Sequence, residues 1–84
     1  MRYLISYDLV KPGKDYQTLE NALKSMDAKR VLLSQWLVRR TGITCSDLAR
    51  YIWQFMDAND RLLVNEFDGS GAAWYNLITD PNTI

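Results

Sequence analysis

The chain has 84 residues, a mass of 9.8 kDa, 48% hydrophobic and 12% aromatic residues and a net charge of zero. It is too apolar for a disordered segment. Cys45 is its lone cysteine and it has no histidine, which excludes an intrachain disulfide, a Cys/His zinc site and any triad built on an imidazole base. Catalysis in such a chain would rest on carboxylates, a bound metal, Tyr, Ser or Lys.

A domain this small buries only about 60–65% of the surface its unfolded chain exposes. Self-association is the remaining way to add buried area, so an oligomer is expected. Residues 1–50 carry nine Lys/Arg against five acids, a charge of +4, and residues 51–84 carry Arg61 against five acids, a charge of −4. The split permits nucleic-acid contact on one side, although ordinary mixed surface charge is the plainer reading. No stretch approaches the roughly 18 apolar residues of a membrane span. Met1-Arg2-Tyr3-Leu4 enters a strand pattern without a signal h-region, so a reducing, cytoplasmic setting and no membrane contact are expected.

Arg2–Val10 alternates, with Tyr3, Ile5, Tyr7 and Leu9 on one face and Leu4, Ser6, Asp8 and Val10 on the other, which predicts a strand. Lys11-Pro12-Gly13-Lys14 breaks it, and Asp15 suits a helix N-cap. Tyr16, Leu19, Leu23 and Met26, with Ala22, then recur at helical spacing as far as Asp27. Lys29–Val38 predicts a second strand, with Ser34 and Trp36 on one face. Arg39-Arg40-Thr41-Gly42 is a basic turn, and Thr41–Thr44 is an optional short strand. Thr44 and Asp47 resemble a capping box ahead of a helix whose apolar stripe is Leu48, Ile52, Phe55 and Met56, with Cys45 before them. Arg61–Phe67 predicts a strand, Asp68–Gly71 a turn, Ala72–Ile78 a last strand, and Asp80-Pro81-Asn82 a frayed tail.

The order β-α-β-(β)-α-β-β predicts one α+β domain over residues 1–84, a ferredoxin-like sandwich with an antiparallel sheet and two helices on one face. The other face would need a lid, a partner or a ligand.

Asp8 stands out as a carboxylate on a mostly apolar strand, where burial requires a partner or a metal. A solvated strand-end Asp is the alternative. Ser34 would orient a water or a phosphate, or simply bond within the sheet. Trp36, Trp53 and Trp74 offer base stacking or core packing. Lys11, Lys14, Lys29, Arg30, Arg39 and Arg40 are scattered candidate phosphate contacts. Asp57-Ala58-Asn59-Asp60 fails as a calcium loop, because Leu62 and Asp68 stand where Gly and Glu are required. Gly69-Ser70-Gly71 lacks the Lys-Ser/Thr of a phosphate loop.

Tyr7-Asp8-Leu9 closing the first strand, Ser34-Gln35-Trp36 in the second, Asp47-Leu48 opening a helix and the Asp-led run Asp60-Arg61-Leu62-Leu63-Val64 together resemble the small CRISPR-associated endoribonuclease family, the dimeric partner of the spacer integrase. The likeness covers residues 2–67 and is closest to short stand-alone relatives; the layout is also similar to virulence-associated protein D ribonucleases. The chain departs from the family in having Lys11-Pro12-Gly13-Lys14 for a denser basic cluster and Ser34-Gln35-Trp36 for Ser-Val-Phe. The resemblance implies a ferredoxin-like homodimer in which Asp8 of both protomers faces a shared cleft and holds Mg²⁺ or Mn²⁺. It implies phosphodiester cleavage in RNA or DNA, with Ser34 and Trp36 as the weaker candidates for the same cleft and Ala72–Ile78 added to the partner's sheet; Lys11, Lys14, Arg39, Arg40 and Trp36 are then the candidate nucleic-acid contacts. The alternative is a non-catalytic homodimeric adaptor that binds nucleic acid or a protein partner such as an integrase or antitoxin.

Overall fold

A computed structural model describes residues 1–10 and 16–84. The elements run β1 (Arg2–Asp8), α1 (Gln17–Ser25), β2 (Lys29–Leu32), β3 (Gln35–Arg39), α2 (Cys45–Trp53) and β4 (Arg61–Phe67). The sheet order is β2-β3-β1-β4, with every neighbouring pair antiparallel. This is the expected α+β ferredoxin-like layout.

The alternation of β1 does what period two demands. Tyr3, Ile5 and Tyr7 are buried against the helices, and Leu4, Ser6 and Asp8 face the other way. Leu19 and Leu23 of α1 and Leu48 and Ile52 of α2 close the core with Met26, Trp36 and Val38. The start of α2 is the capping box that Thr44 and Asp47 announce: the Asp47 amide donates to the Thr44 hydroxyl (3.1 Å) and the Thr44 amide to the Asp47 carboxylate (3.2 Å). The end of α1 is a Schellman turn. The Ala28 amide donates to the Leu23 carbonyl and the Asp27 amide to the Lys24 carbonyl, with Asp27 at φ 61° where glycine is usual. The Asp15 cap lies outside the described residues.

Three expected elements differ. Lys29–Val38 is not one strand but the hairpin β2–β3, turning at Leu33-Ser34. Neither turn residue has positive φ, so the turn needs no Gly or Asn and leaves no punctuation in an unbroken alternating run. Thr41–Thr44 forms no strand; Gly42 takes φ 75° there. Ala72–Ile78 is not a strand either. The chain leaves β4 through a short 3₁₀ turn (Gly69–Gly71), bends through Asn76 at φ 58° and crosses the sheet face opposite the helices.

That crossing is the lid the sheet requires. The Ile78 amide donates to the Val31 carbonyl (3.0 Å), and Arg2 donates to the Pro81 carbonyl (2.9 Å) while lying over the Phe67 ring. Leu4, Val31 and Leu37 line, with Trp74, Leu77 and Pro81, a mostly apolar cavity of about 160 Å³ between sheet and segment. A bulge between Arg30 and Leu32 inserts one residue, so Val31 and Leu32 both line this side. Pro81 is fully buried and Asp80 caps the 3₁₀ turn Pro81–Thr83, so the expected frayed tail is anchored instead.

Candidate functional site

The C-terminal segment leaves part of the open face uncovered. There, where β1 ends, an open cleft of about 470 Å³ is lined by residues that include Ser6, Asp8, Ser34, Gln35, Arg61 and Leu63. Register builds it. Asp8 pairs with Arg61 and Ser6 with Leu63 across β1–β4, and Ser6 pairs with Gln35 across β1–β3. The β2–β3 turn brings Ser34 to the rim, its carbonyl accepting from the Tyr7 amide at 3.1 Å.

The structure therefore brings Asp8 and Ser34 to one cleft. Asp8 is 71% exposed; its carboxylate lies 3.8 Å from the Arg61 guanidinium, itself largely exposed. An exposed pair of this kind adds little to stability and leaves both charges accessible. The Gln35 amide donates to the Ser6 hydroxyl (2.9 Å), which orients both groups on the cleft floor. Leu32 and Leu63 of the lining are exposed and give the rim an apolar part.

Trp36 does not join them. It is 2% exposed in the core, where its indole N–H donates to the Tyr7 hydroxyl (2.9 Å) and Arg30 stacks on its ring while pairing with Glu20. The Glu20 hydrogen bond raises the Arg30 pKa against the opposing effect of burial. The shared face expected for Ser34 and Trp36 fails because the chain turns between β2 and β3. No face of the indole is open to a base.

Arg39 and Arg40 are also elsewhere. Arg39 pairs with Arg2, at the opposite end of β1 from Asp8, about 20 Å away at strand rise. Arg39 donates to the Ile84 carbonyl and Arg40 to the Met26 carbonyl, each at 2.6 Å. They tie down the C-terminal segment and the end of α1 rather than rimming the cleft. Lys11 and Lys14 lie outside the described residues.

Sequence reasoning did not single out Arg61, Ser6, Gln35 or Leu63. Only the strand register reveals them, since nothing local marks Arg61 as the cross-strand neighbour of a residue 53 positions earlier.

Asp60, a further acid near this end, is structural. It is buried, and its carboxylate accepts from the amides of Val10 (3.0 Å) and Asp57 (2.8 Å) and from the Tyr16 hydroxyl (3.1 Å). Burial pushes its pKa up, but the Asp57 and Val10 amides and the Tyr16 hydroxyl together hold it below the ordinary carboxylate value. It locks the end of β1 to the α2–β4 turn.

For a metal, the cleft offers the Asp8 carboxylate, the Ser6 and Ser34 hydroxyls and the Gln35 side-chain carbonyl. Among the described residues there is no group of three His, Cys, Asp or Glu side chains placed to hold a metal ion. A single carboxylate with neutral oxygens suits a Mg²⁺ or Mn²⁺ ion that shares its coordination with substrate phosphate, the usual way magnesium is held. Also among the described residues, no helix is long and apolar enough to cross a membrane. No protein-family model matches the chain.

Proposed function

We propose that the protein is a metal-assisted phosphodiesterase acting on RNA or DNA at the Asp8 cleft. The observation that carries this reading is the placement of Asp8: an exposed carboxylate at the uncovered end of the sheet, with Arg61 beside it and the Ser6 and Ser34 hydroxyls close by. Asp8, with phosphate oxygens, would hold Mg²⁺ or Mn²⁺, and the ion would supply charge stabilisation and an oriented water. Arg61 would attract and position the phosphate, the task to which a guanidinium fork is suited. Ser34 would orient the water or a non-bridging oxygen.

A second reading, a non-catalytic binding module, draws support from the apolar rim at Leu32 and Leu63, which suits a protein partner better than a polyanion.

The test is incubation of wild type, Asp8→Ala and Arg61→Ala with labelled single-stranded RNA and duplex DNA in Mg²⁺, Mn²⁺ or EDTA. The expected result is metal-dependent cleavage that Asp8→Ala abolishes and Arg61→Ala reduces by about 10²-fold or more, the scale of a lost charge-stabilising donor. Both side chains are exposed, so both variants should unfold within about 0.5 kcal/mol of wild type. Equal cleavage by wild type and Asp8→Ala would refute the assignment. Absence of cleavage by folded wild type would leave the binding module.

A further inference from the structure

The two edges of the sheet differ. β2 is four residues long, bulged, and has its Val31 carbonyl occupied by the Ile78 amide. β4 is seven residues long, paired without a bulge along its whole length to β1, and carries neither Pro nor Lys. Natural edge strands are normally blunted by one of these devices.

The register identifies the groups that face outward. The Tyr7 amide bonds to Ser34, so Tyr3, Ile5 and Tyr7 direct their backbone toward β3 and the alternate residues of β1 direct theirs toward β4. Their partners Arg61, Leu63, Asn65 and Phe67 are thereby satisfied, and Leu62, Val64 and Glu66 point N–H and C=O away from the sheet. Among the described residues, the one hydrogen bond to these outward groups is from the Asn65 side-chain amide to the Glu66 carbonyl (3.1 Å), an exposed local contact that leaves a lone pair free.

Beside this edge, on the helix side, Ala49, Arg50 and Trp53 of α2 form with Asp60 and Leu62 a groove of about 380 Å³, and Trp53 is 40% exposed. Charge is ordered along the edge. On the helix side, Arg50, 79% exposed and 3.7 Å from Asp47, stands at the Leu62 end beside the buried Asp60, while Glu66 stands at the other. An antiparallel second copy of the same strand matches this order. With Val64 opposite Val64, Leu62 falls opposite the partner's Glu66. Side chains at those positions lie on the helix side, so the partner's Glu66 comes next to the Arg50 that lines the groove.

We propose that two copies of this chain pair edge to edge through β4, antiparallel about Val64, joining their sheets into one and placing Glu66 of each against Arg50 of the other. The Leu62, Val64 and Glu66 backbone groups find partners across the two-fold axis, and the Trp53 side of each α2 closes against the other. The inference does not depend on the phosphodiesterase reading. It puts both Asp8 clefts on one surface of a continuous sheet, not across a shared cleft.

The test is sedimentation equilibrium of the full chain over a concentration series, for wild type, Glu66→Arg, Arg50→Glu, the double variant, Val64→Pro and Asp8→Arg. The expected result is a wild-type dimer that each single charge reversal weakens about ten-fold or more and the double variant restores, the signature of a direct charge pair across an interface. Val64→Pro removes an outward N–H without touching the β1 ladder and should weaken the dimer as well. Rescue in the double variant also excludes misfolding as the cause of the single effects. A monomeric wild type, a dimer indifferent to Glu66→Arg and Arg50→Glu, or one disrupted by Asp8→Arg alone would each overturn the proposal.

Discussion

The two faces of the sheet are built by different means. The helix face is covered by two amphipathic helices whose stripes, Leu19–Leu23 and Leu48–Ile52, leave those four side chains 3% exposed or less. The opposite face is covered by irregular chain, held by a few long-range bonds to main-chain carbonyls: Arg2 to Pro81, Arg39 to Ile84, and the Ile78 amide to Val31. That cover stops short of the Asp8 end. A regular element packs its whole length against a sheet, whereas an irregular segment packs only where its side chains reach. The uncovered remainder is where polar and charged groups collect, and so the candidate site lies there.

Substitutions can break this comparison. On the helix face, Ile52→Ala leaves a cavity in a fully buried site and should cost about 4 kcal/mol in denaturant unfolding. A cost under about 1 kcal/mol would mean that the helix layer is not the tightly packed one. At the boundary between the faces, Asp60→Ala strips the acceptor from two amides and a hydroxyl and should cost about 3 kcal/mol. The Asp60 pKa is lowered by folding, so its contribution is present above the ordinary Asp range near about pH 4 and is lost as pH falls through the lower folded value. Wild type should lose stability over that acid window more steeply than Asp60→Asn, and parallel pH profiles would remove Asp60 from the account. The smallest effect concerns the irregular cover. Leu37→Ala and Trp74→Ala should show a coupling energy of about 1 kcal/mol, while Ile52→Ala and Trp74→Ala, on opposite faces, should be additive within about 0.5 kcal/mol. Equal coupling in both pairs would mean that the two faces do not act as separate layers.

Much of this fold could be read from local pattern. The β1 alternation, the α1 stripe, the capping box at Thr44 and the β4 run stand where the residues predict them, because each depends on periods of 2 or 3.6 and on bonds between near neighbours, while α2 ends at Trp53 and leaves Phe55 and Met56 of its expected stripe in the turn that follows. The Leu33-Ser34 turn was not legible, since it uses no residue that marks a turn. Of the candidate site, Asp8 stood out because a carboxylate interrupts an apolar strand, and Ser34 was named on a face it does not share with Trp36. Core packing is one of the two readings open for Trp36, and only the family resemblance puts it at the cleft; the Arg39-Arg40 pair is misplaced as a phosphate contact because residue type does not say which end of a strand it will occupy.

The sequence by itself determined the α+β class, the inward faces of β1 and of the two helices, and the exclusion of imidazole and disulfide chemistry, since composition and short-range periodicity carry that information. Tertiary structure alone decided that Ala72–Ile84 covers the chain's own sheet, that Arg61 stands beside Asp8, and that β4 is left as a bare edge. Each of these follows from register and from contacts between residues tens of positions apart, and no local pattern encodes which distant strand a residue will face.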